Sequence, residues 1–154
     1  GFLKSNELKN KDGKIFVMTG DGELQEGQIW ESLIKVDIKN KNNLNIIVDN
    51  NKVQSDTYVK NVSDLGNLKL KFESFSCKVF EGNGHDYDFI NSFANFKSNL
   101  PKVMIANTIK GNGVSFMEHT SMTEKEEYYK YHSGAPSAEE YSKASKEILN
   151  RIEI

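Results

Sequence analysis

The chain has 154 residues, 37% of them hydrophobic and 27% charged, with 20 Lys plus Arg against 22 Asp plus Glu, a net charge of -2 and a pI near 6.0. That length suits about one domain burying roughly 68–70% of its unfolded surface, and the composition excludes disordered, fibrous and collagen-like chains. No basic excess points to nucleic acid. The longest apolar runs fall far short of the ~18 residues of a membrane span, and the first residues lack the order of a signal peptide, so a cytoplasmic protein with no membrane partner is expected.

Taken in order, Ile15 to Thr19 is a short apolar, β-branched run between Asp12-Gly13 and Gly20-Asp21-Gly22, the profile of a strand buried on both faces. From Gln28 the pattern changes: Ile29, Trp30, Leu33, Ile34, Val36 and Ile38 fall at helical spacing, and Lys39 to Asn43 ends the helix. Leu44 to Val48 reads as a second buried strand, closed by Asp49-Asn50-Asn51 and a polar loop to about Asn61. Leu65, Leu68, Phe72 and Phe75 suggest a helix, Cys77 to Phe80 a strand, and Gly82-Asn83-Gly84 a turn.

Tyr87, Phe89, Ile90, Phe93 and Phe96 suggest another helix and Lys102 to Thr108 a fourth strand. Two later helix starts carry capping-box spacing, Thr123 with Glu126 and Ser137 with Glu140. Strands alternating with helices predict an α/β fold, an open and mostly parallel sheet with helices on both faces. The expected division is an α/β domain over 1–118 and a polar tail with C-terminal helices of the same domain over 119–154. The lone Cys77 sits in an apolar run and reads as a buried, inert thiol.

In open parallel sheets ligands sit at the carboxyl ends of the strands. Gly20-Asp21-Gly22 follows the first strand and Asn50-Asn51 the second, with 23–49 between them long enough for a helix and a returning strand, so the two turns can face each other. Asp21 offers a carboxylate and Asn51 an amide oxygen; with a main-chain carbonyl these suit a hard divalent cation such as Mg²⁺ or Ca²⁺. So few protein ligands imply that phosphate oxygens and water complete the shell. Glycines at 20, 22 and 27 let main-chain N–H groups approach that phosphate at the start of a helix. Two ordinary turns explain the same residues.

The wider text bears on that choice. Gly20-Asp21-Gly22-Glu23-Leu24-Gln25-Glu26-Gly27-Gln28, with Asn50-Asn51 at this separation, resembles the thiamine diphosphate fingerprint of transketolases. Lys110-Gly111-Asn112-Gly113-Val114-Ser115-Phe116-Met117-Glu118 resembles the segment after the last strand of their cofactor domain, and His132-Ser133-Gly134-Ala135-Pro136 their His-Gly-x-Pro stretch. The resemblance implies the thiamine diphosphate-binding fold, with Asp21, Asn51 and the carbonyl of Val53 holding magnesium (calcium or manganese as substitutes). Gly20, Asp21, Gly22, Glu23 and Asn51 would surround the diphosphate, Gly22 through its N–H. It also implies a catalytic His132, assisting proton transfer at substrate oxygens, and places Glu26 in a carboxylate network across a dimer interface. A helix-dipole partner is the plainer reading of Glu26, and a surface histidine that of His132. His119 has no role in the resemblance, and His85 reads as a capping or packing histidine.

The activity implied is transfer of a two-carbon ketol unit from a ketose phosphate to an aldose phosphate. Such enzymes need a second, pyrimidine-binding domain or subunit, and only 19 residues precede the Gly20 turn, so the expected protein is a partial transketolase N-terminal domain or split subunit, inactive alone, working as a homodimer or heterotetramer. Its opening on Gly1 rather than Met leads to the expectation that residues precede it. A ketoacid dehydrogenase or deoxyxylulose phosphate synthase type of thiamine diphosphate enzyme, or a non-catalytic cofactor-binding module, is the alternative.

Overall fold

The computed structural model describes residues 1–35, 41–122 and 128–152. The helical positions Val36 and Ile38 and the capping pair Thr123 with Glu126 lie outside them. Four parallel strands form the sheet: β1 (Ile15–Gly20), β2 (Leu44–Asn50), β5 (Lys78–Asn83) and β6 (Lys102–Asn107), in spatial order β1-β2-β6-β5. Between β2 and β5 the expected polar loop contains a small antiparallel pair, β3 (Val53–Gln54) with β4 (Thr57–Tyr58), and a single helical turn, α3 (Val59–Val62).

The register explains the burial. Val17, Ile46, Val103 and Val79 share one row, and Met18, Ile47, Met104 and Phe80 the next. Successive rows face opposite sides of a pleated sheet. On one side, α2 (Gly27–Lys35) and α4 (Leu68–Ser74) cover Leu44, Ile46, Val48, Val103 and Ile105, with Leu24, Leu33, Leu68, Phe72 and Cys77 completing the core. Phe72 is fully buried beside the Trp30 ring, 5.1 Å between centroids, a burial that stabilises by roughly 1.5–3 kcal/mol. On the other side, Phe89 and Phe93 of α5 (Tyr87–Asn95) pack on Met104, Ala106, Ile47 and Phe80.

That second layer stops short of β1. Phe16 is 55% and Met18 73% exposed, and Val17 on the opposite face 42%. The expectation of a strand buried on both faces is therefore corrected: among the described residues β1 is an edge strand with one neighbour, and the α5 that covers β5 and β6 does not reach it. Element boundaries differ as well. Gly82 and Asn83 belong to β5, because their partners Ala106 and Asn107 extend the ladder, and the α4 helix begins at Leu68 rather than Leu65, where Asn67 Oδ1 accepts the Leu70 N–H at 2.9 Å and so caps it.

The first helix, α1 (Phe2–Leu8), carried no strong sequence signal and buries no residue. The last, α6 (Ala138–Ile152), starts at the expected capping box: Ser137 N–H donates to Glu140 Oε2 at 2.8 Å and Glu140 N–H to Ser137 Oγ at 3.2 Å. It is tied back by Glu147, whose carboxylate accepts from Ser115 N–H at 2.9 Å and Ser115 Oγ at 3.1 Å.

Candidate functional site

The two glycine-and-asparagine turns do meet at the carboxyl ends of β1 and β2. Asp21 follows β1 directly, and its N–H continues the ladder by donating to Asp49 O at 3.0 Å. Its side chain is only 2% exposed, and Oδ2 accepts the N–H of Lys52 at 2.8 Å while Oδ1 accepts that of Gly22 at 3.0 Å. The next amide along, Val53 N–H, donates to Asn51 Oδ1 at 2.9 Å. Side-chain oxygens of Asp21 and Asn51 are thus held by two consecutive peptide units. Both oxygens keep unused lone pairs, since a carboxylate or amide oxygen accepts more than once. Burial raises the Asp21 pKa from its ordinary value, and the N–H bonds from Lys52 and Gly22 oppose that rise.

A second carboxylate orders the Asn51 side chain. Asp49 Oδ2 accepts Asn51 Nδ2–H at 3.1 Å, and its Oδ1 accepts the Thr108 hydroxyl, so the amide of Asn51 is oriented with its oxygen outward from Asp49. Asn50 is bound across to β6, donating to Asn107 Oδ1 at 2.6 Å. Lys52, at φ +67, occupies the left-handed region and reaches Asn50 Oδ1 with Nζ at 2.9 Å. A non-glycine residue held there is strained, which the bonds on either side of it sustain.

Gly22 shows why glycine is needed in the first turn. A Cβ there would lie 2.5 Å from Gln54 Oε1 and 2.6 Å from Gln54 Cβ, closer than packed atoms come. Glu23 folds back, accepting Gly20 N–H at 2.7 Å and the Thr19 hydroxyl at 3.2 Å, and Gln25 donates to the carbonyls of Val59 and Ser63 at 3.1 and 2.9 Å. Residues 22–25 are a short 3₁₀ turn leading to α2. Asp21, Asn50, Lys52, Tyr58, Lys60 and His119 are among the residues lining a cavity of about 430 Å³ beside this turn. A larger hollow lies at the opposite ends of the strands, around Asn45 and Lys102, far from these groups.

Comparison with known proteins decides the family. The model of the transketolase thiamine diphosphate binding domain matches residues 3–147. The chain belongs to the transketolase family. It is 32% identical to one of the subunits of the apulose-4-phosphate transketolase of Phocaeicola vulgatus over 156 aligned positions, 99% of this chain and 53% of that protein. It is 40% identical to the protein of the same name from Actinobacillus succinogenes over 107 positions, 68% of this chain and 39% of that one. Among solved structures, the transketolase of Campylobacter jejuni superposes with a TM-score of 0.75 at 29% identity, over 96% of this chain and 23% of that one. The chain spans about half the length of the first curated relative.

Within this transketolase-family domain the expected site residues are not all gathered. Gly20, Asp21, Gly22, Asn51 and Val53 lie together, and Glu23 closes the same turn from within. The Gly22 N–H, expected to face a diphosphate, donates to Asp21 Oδ1. Glu26 is exposed, and its carboxylate meets no donor among the described residues. His132 is exposed, its Nδ1 3.3 Å from Lys110 Nζ; Lys110 in turn reaches Ser55 O at 3.3 Å and lies over the Tyr129 ring.

Three groups were not singled out from the sequence: Asp49, Lys52 and His119. Tyr128–Tyr131 lie in a loop, with Tyr129 buried and its hydroxyl donating to Met117 O at 2.7 Å. His85 is exposed and anchors a loop, accepting Ile109 N–H on Nε2 at 2.9 Å. No cluster of three or more His, Cys, Asp or Glu placed for a metal occurs among the described residues, and no described helix is long and apolar enough to cross a membrane.

Proposed function

We propose that this chain is the diphosphate- and metal-holding part of a transketolase that uses thiamine diphosphate and magnesium. The observation that carries the reading is the joining of Asp21 and Asn51 through the successive amides of Lys52 and Val53. The donor set fits the ion: one carboxylate, one amide oxygen and the Val53 carbonyl are hard oxygen ligands that leave coordination positions for phosphate oxygens and water. A single negative charge suits a metal that brings a diphosphate with it.

When bound, the cofactor supplies the nucleophilic carbon and the electron sink for moving a two-carbon ketol unit from a ketose phosphate to an aldose phosphate. The residues of this chain bind and orient. Asp21, Asn51 and Val53 O hold the metal, the glycine turn at 20–22 brings backbone close to the phosphates, and Glu23 and Gln25 brace that turn. His132, beside Lys110, carries protons at substrate oxygens, a task suited to an imidazole. Glu26, exposed at the start of α2, meets a second copy or a partner chain. A pyrimidine-binding domain or partner subunit completes the site, in keeping with relatives that are themselves named as single subunits of a transketolase, and this chain by itself does not turn over.

The test is calorimetric titration of the complete assembly with thiamine diphosphate, with and without magnesium. Binding that needs magnesium and disappears in Asp21→Asn supports the reading; binding indifferent to both refutes it. Product analysis with a ketose phosphate and an aldose phosphate, against a 2-ketoacid, separates transketolase chemistry from the other thiamine diphosphate reactions.

A further inference from the structure

Of the three histidines, His119 is the one that lines the cavity shared with Asp21, Asn50 and Lys52. It sits at the closing end of the loop that begins with Lys110-Gly111-Asn112-Gly113. The two ends of this loop are bonded twice: His119 N–H donates to Lys110 O at 2.9 Å, and Lys110 N–H donates to His119 Nδ1 at 3.0 Å. Gly111, at φ +81, makes the turn between them, where a Cβ would strike the Met117 carbonyl. The ring cannot reorient without breaking the second bond, and the edge of Tyr58, 6.5 Å away between centroids, stands against it.

This fixes the chemistry of the ring. A neutral imidazole has one donor and one acceptor nitrogen; with Nδ1 accepting, Nε2 carries the proton. Burial lowers the pKa of His119, which keeps the ring in this neutral form. Nε2 makes no hydrogen bond to any described residue, whereas Nδ1 is taken. One oriented N–H donor is therefore left on a residue lining a cavity that holds two lysines, Lys52 and Lys60, and two acids, Asp21 and Asp64. With Asp21 committed to the metal, an N–H donor in a cavity that also presents two ammonium groups suits an anionic oxygen brought by the ligand.

We propose that His119 is a ligand-binding residue, whose Nε2–H donates to a phosphate oxygen of the molecule held beside Asp21. The proposal rests on the function proposed above and adds to it a residue outside the Gly-Asp-Gly and Asn-Asn turns. The phosphate oxygen comes either from the cofactor diphosphate or from the sugar phosphate substrate. His132 and His119 then have separate tasks, one beside Lys110 and one at the cavity.

The experiment uses the complete enzyme assembly and two variants. His119→Asn keeps an acceptor near Nδ1 for the Lys110 N–H but removes the donor at Nε2; His119→Gln carries an N–H out to the Nε2 position. Thiamine diphosphate affinity is measured by calorimetry with saturating magnesium, and KM for a ketose phosphate at saturating cofactor. Loss of a hydrogen bond to a charged oxygen is expected to cost about ten- to a hundredfold. If the cofactor is the source, His119→Asn weakens its binding by that factor; if the substrate is, cofactor affinity holds and KM rises instead. In either case His119→Gln recovers most of the loss, and the thermal midpoint without ligand stays put.

The proposal is overturned if affinity and KM in His119→Asn both stay within about twofold of wild type, if His119→Gln is no better than His119→Asn, or if both variants merely lower the thermal midpoint. Asp21→Asn, run in parallel, separates the two failures. Should Asp21→Asn lose cofactor while the His119 variants do not, only the His119 assignment falls; should Asp21→Asn also bind normally, the function proposed for the site falls with it.

Discussion

The N–H of Lys52 donates to Asp21 Oδ2 at 2.8 Å, across 31 residues of chain. One bond thus couples the turn after β1 to the turn after β2, and Lys52 sits between the two contacts at φ +67, its own amide on the carboxylate and the Val53 amide on Asn51. Asp21 therefore has two separable tasks, accepting backbone N–H groups and carrying charge. Asp21→Asn keeps an oxygen for Lys52 and loses the charge; Asp21→Ala loses both. In the complete assembly both variants should lose magnesium-dependent thiamine diphosphate binding by a hundredfold or more, on the order of 3 kcal/mol. Asp21→Ala should lower stability the more, by about 1–3 kcal/mol for two N–H groups left without an acceptor, whereas Asp21→Asn leaves only the Gly22 N–H unpaired. Equal urea midpoints for the two variants would contradict this division.

Gly22 is expected to be intolerant for a steric reason. Alanine there places a methyl group against Gln54 Oε1 and Cβ, and the overlap should cost about 1–3 kcal/mol by urea denaturation. Because the contact is pairwise, Gln54→Gly combined with Gly22→Ala should show a coupling energy of about 0.5 kcal/mol or more in a double-mutant cycle. Simple additivity would place the cause elsewhere.

His132→Ala separates chemistry from binding. The residue is exposed, 3.3 Å from Lys110 Nζ and outside the cavity lining, so cofactor affinity should be unchanged while kcat falls about a hundredfold, at the lower end of what a positioned proton carrier contributes. A fall in cofactor affinity with kcat intact would move His132 into the binding site and remove it from proton transfer.

The strand and helix order was legible because buried parallel strands and amphipathic helices leave different periods. The edge position of β1 was not: Phe16, Val17 and Met18 are as apolar as Ile46 and Val48, and nothing local to Ile15–Thr19 records how many neighbours a strand has. The β3–β4 pair and α3 hid in a polar loop, since two-residue strands show no period. In the site, Asp21 and Asn51 could be paired because each follows a strand. Asp49 and Lys52 could not be placed, as their parts depend on bonds across the sheet to Thr108 and Asp21. His119 was visible only as a histidine in a tail, its significance set by the Lys110 amide nine residues away.

Cys77 gives a pH prediction that tests the core rather than the site. Its side chain is 6% exposed among Leu68, Phe72 and Val103, and burial pushes its pKa up to about 11 from 9.0. The folded protein then keeps the thiol proton up to about pH 11, while the unfolded chain releases it near pH 9.0. Over that interval unfolding releases a proton, so stability falls as pH rises, and below it the group contributes no pH dependence. Two pKa units correspond to roughly 3 kcal/mol. Cys77→Ala, less stable than wild type at pH 8 through the lost packing, should therefore close on wild type between pH 9 and 11 in urea titrations. Iodoacetamide should label Cys77 far more slowly in the folded protein than in urea at pH 8, because the thiolate is both scarce and covered. A constant stability gap across the interval, together with equal labelling rates, would mean that the α4 layer does not seal this side of the sheet.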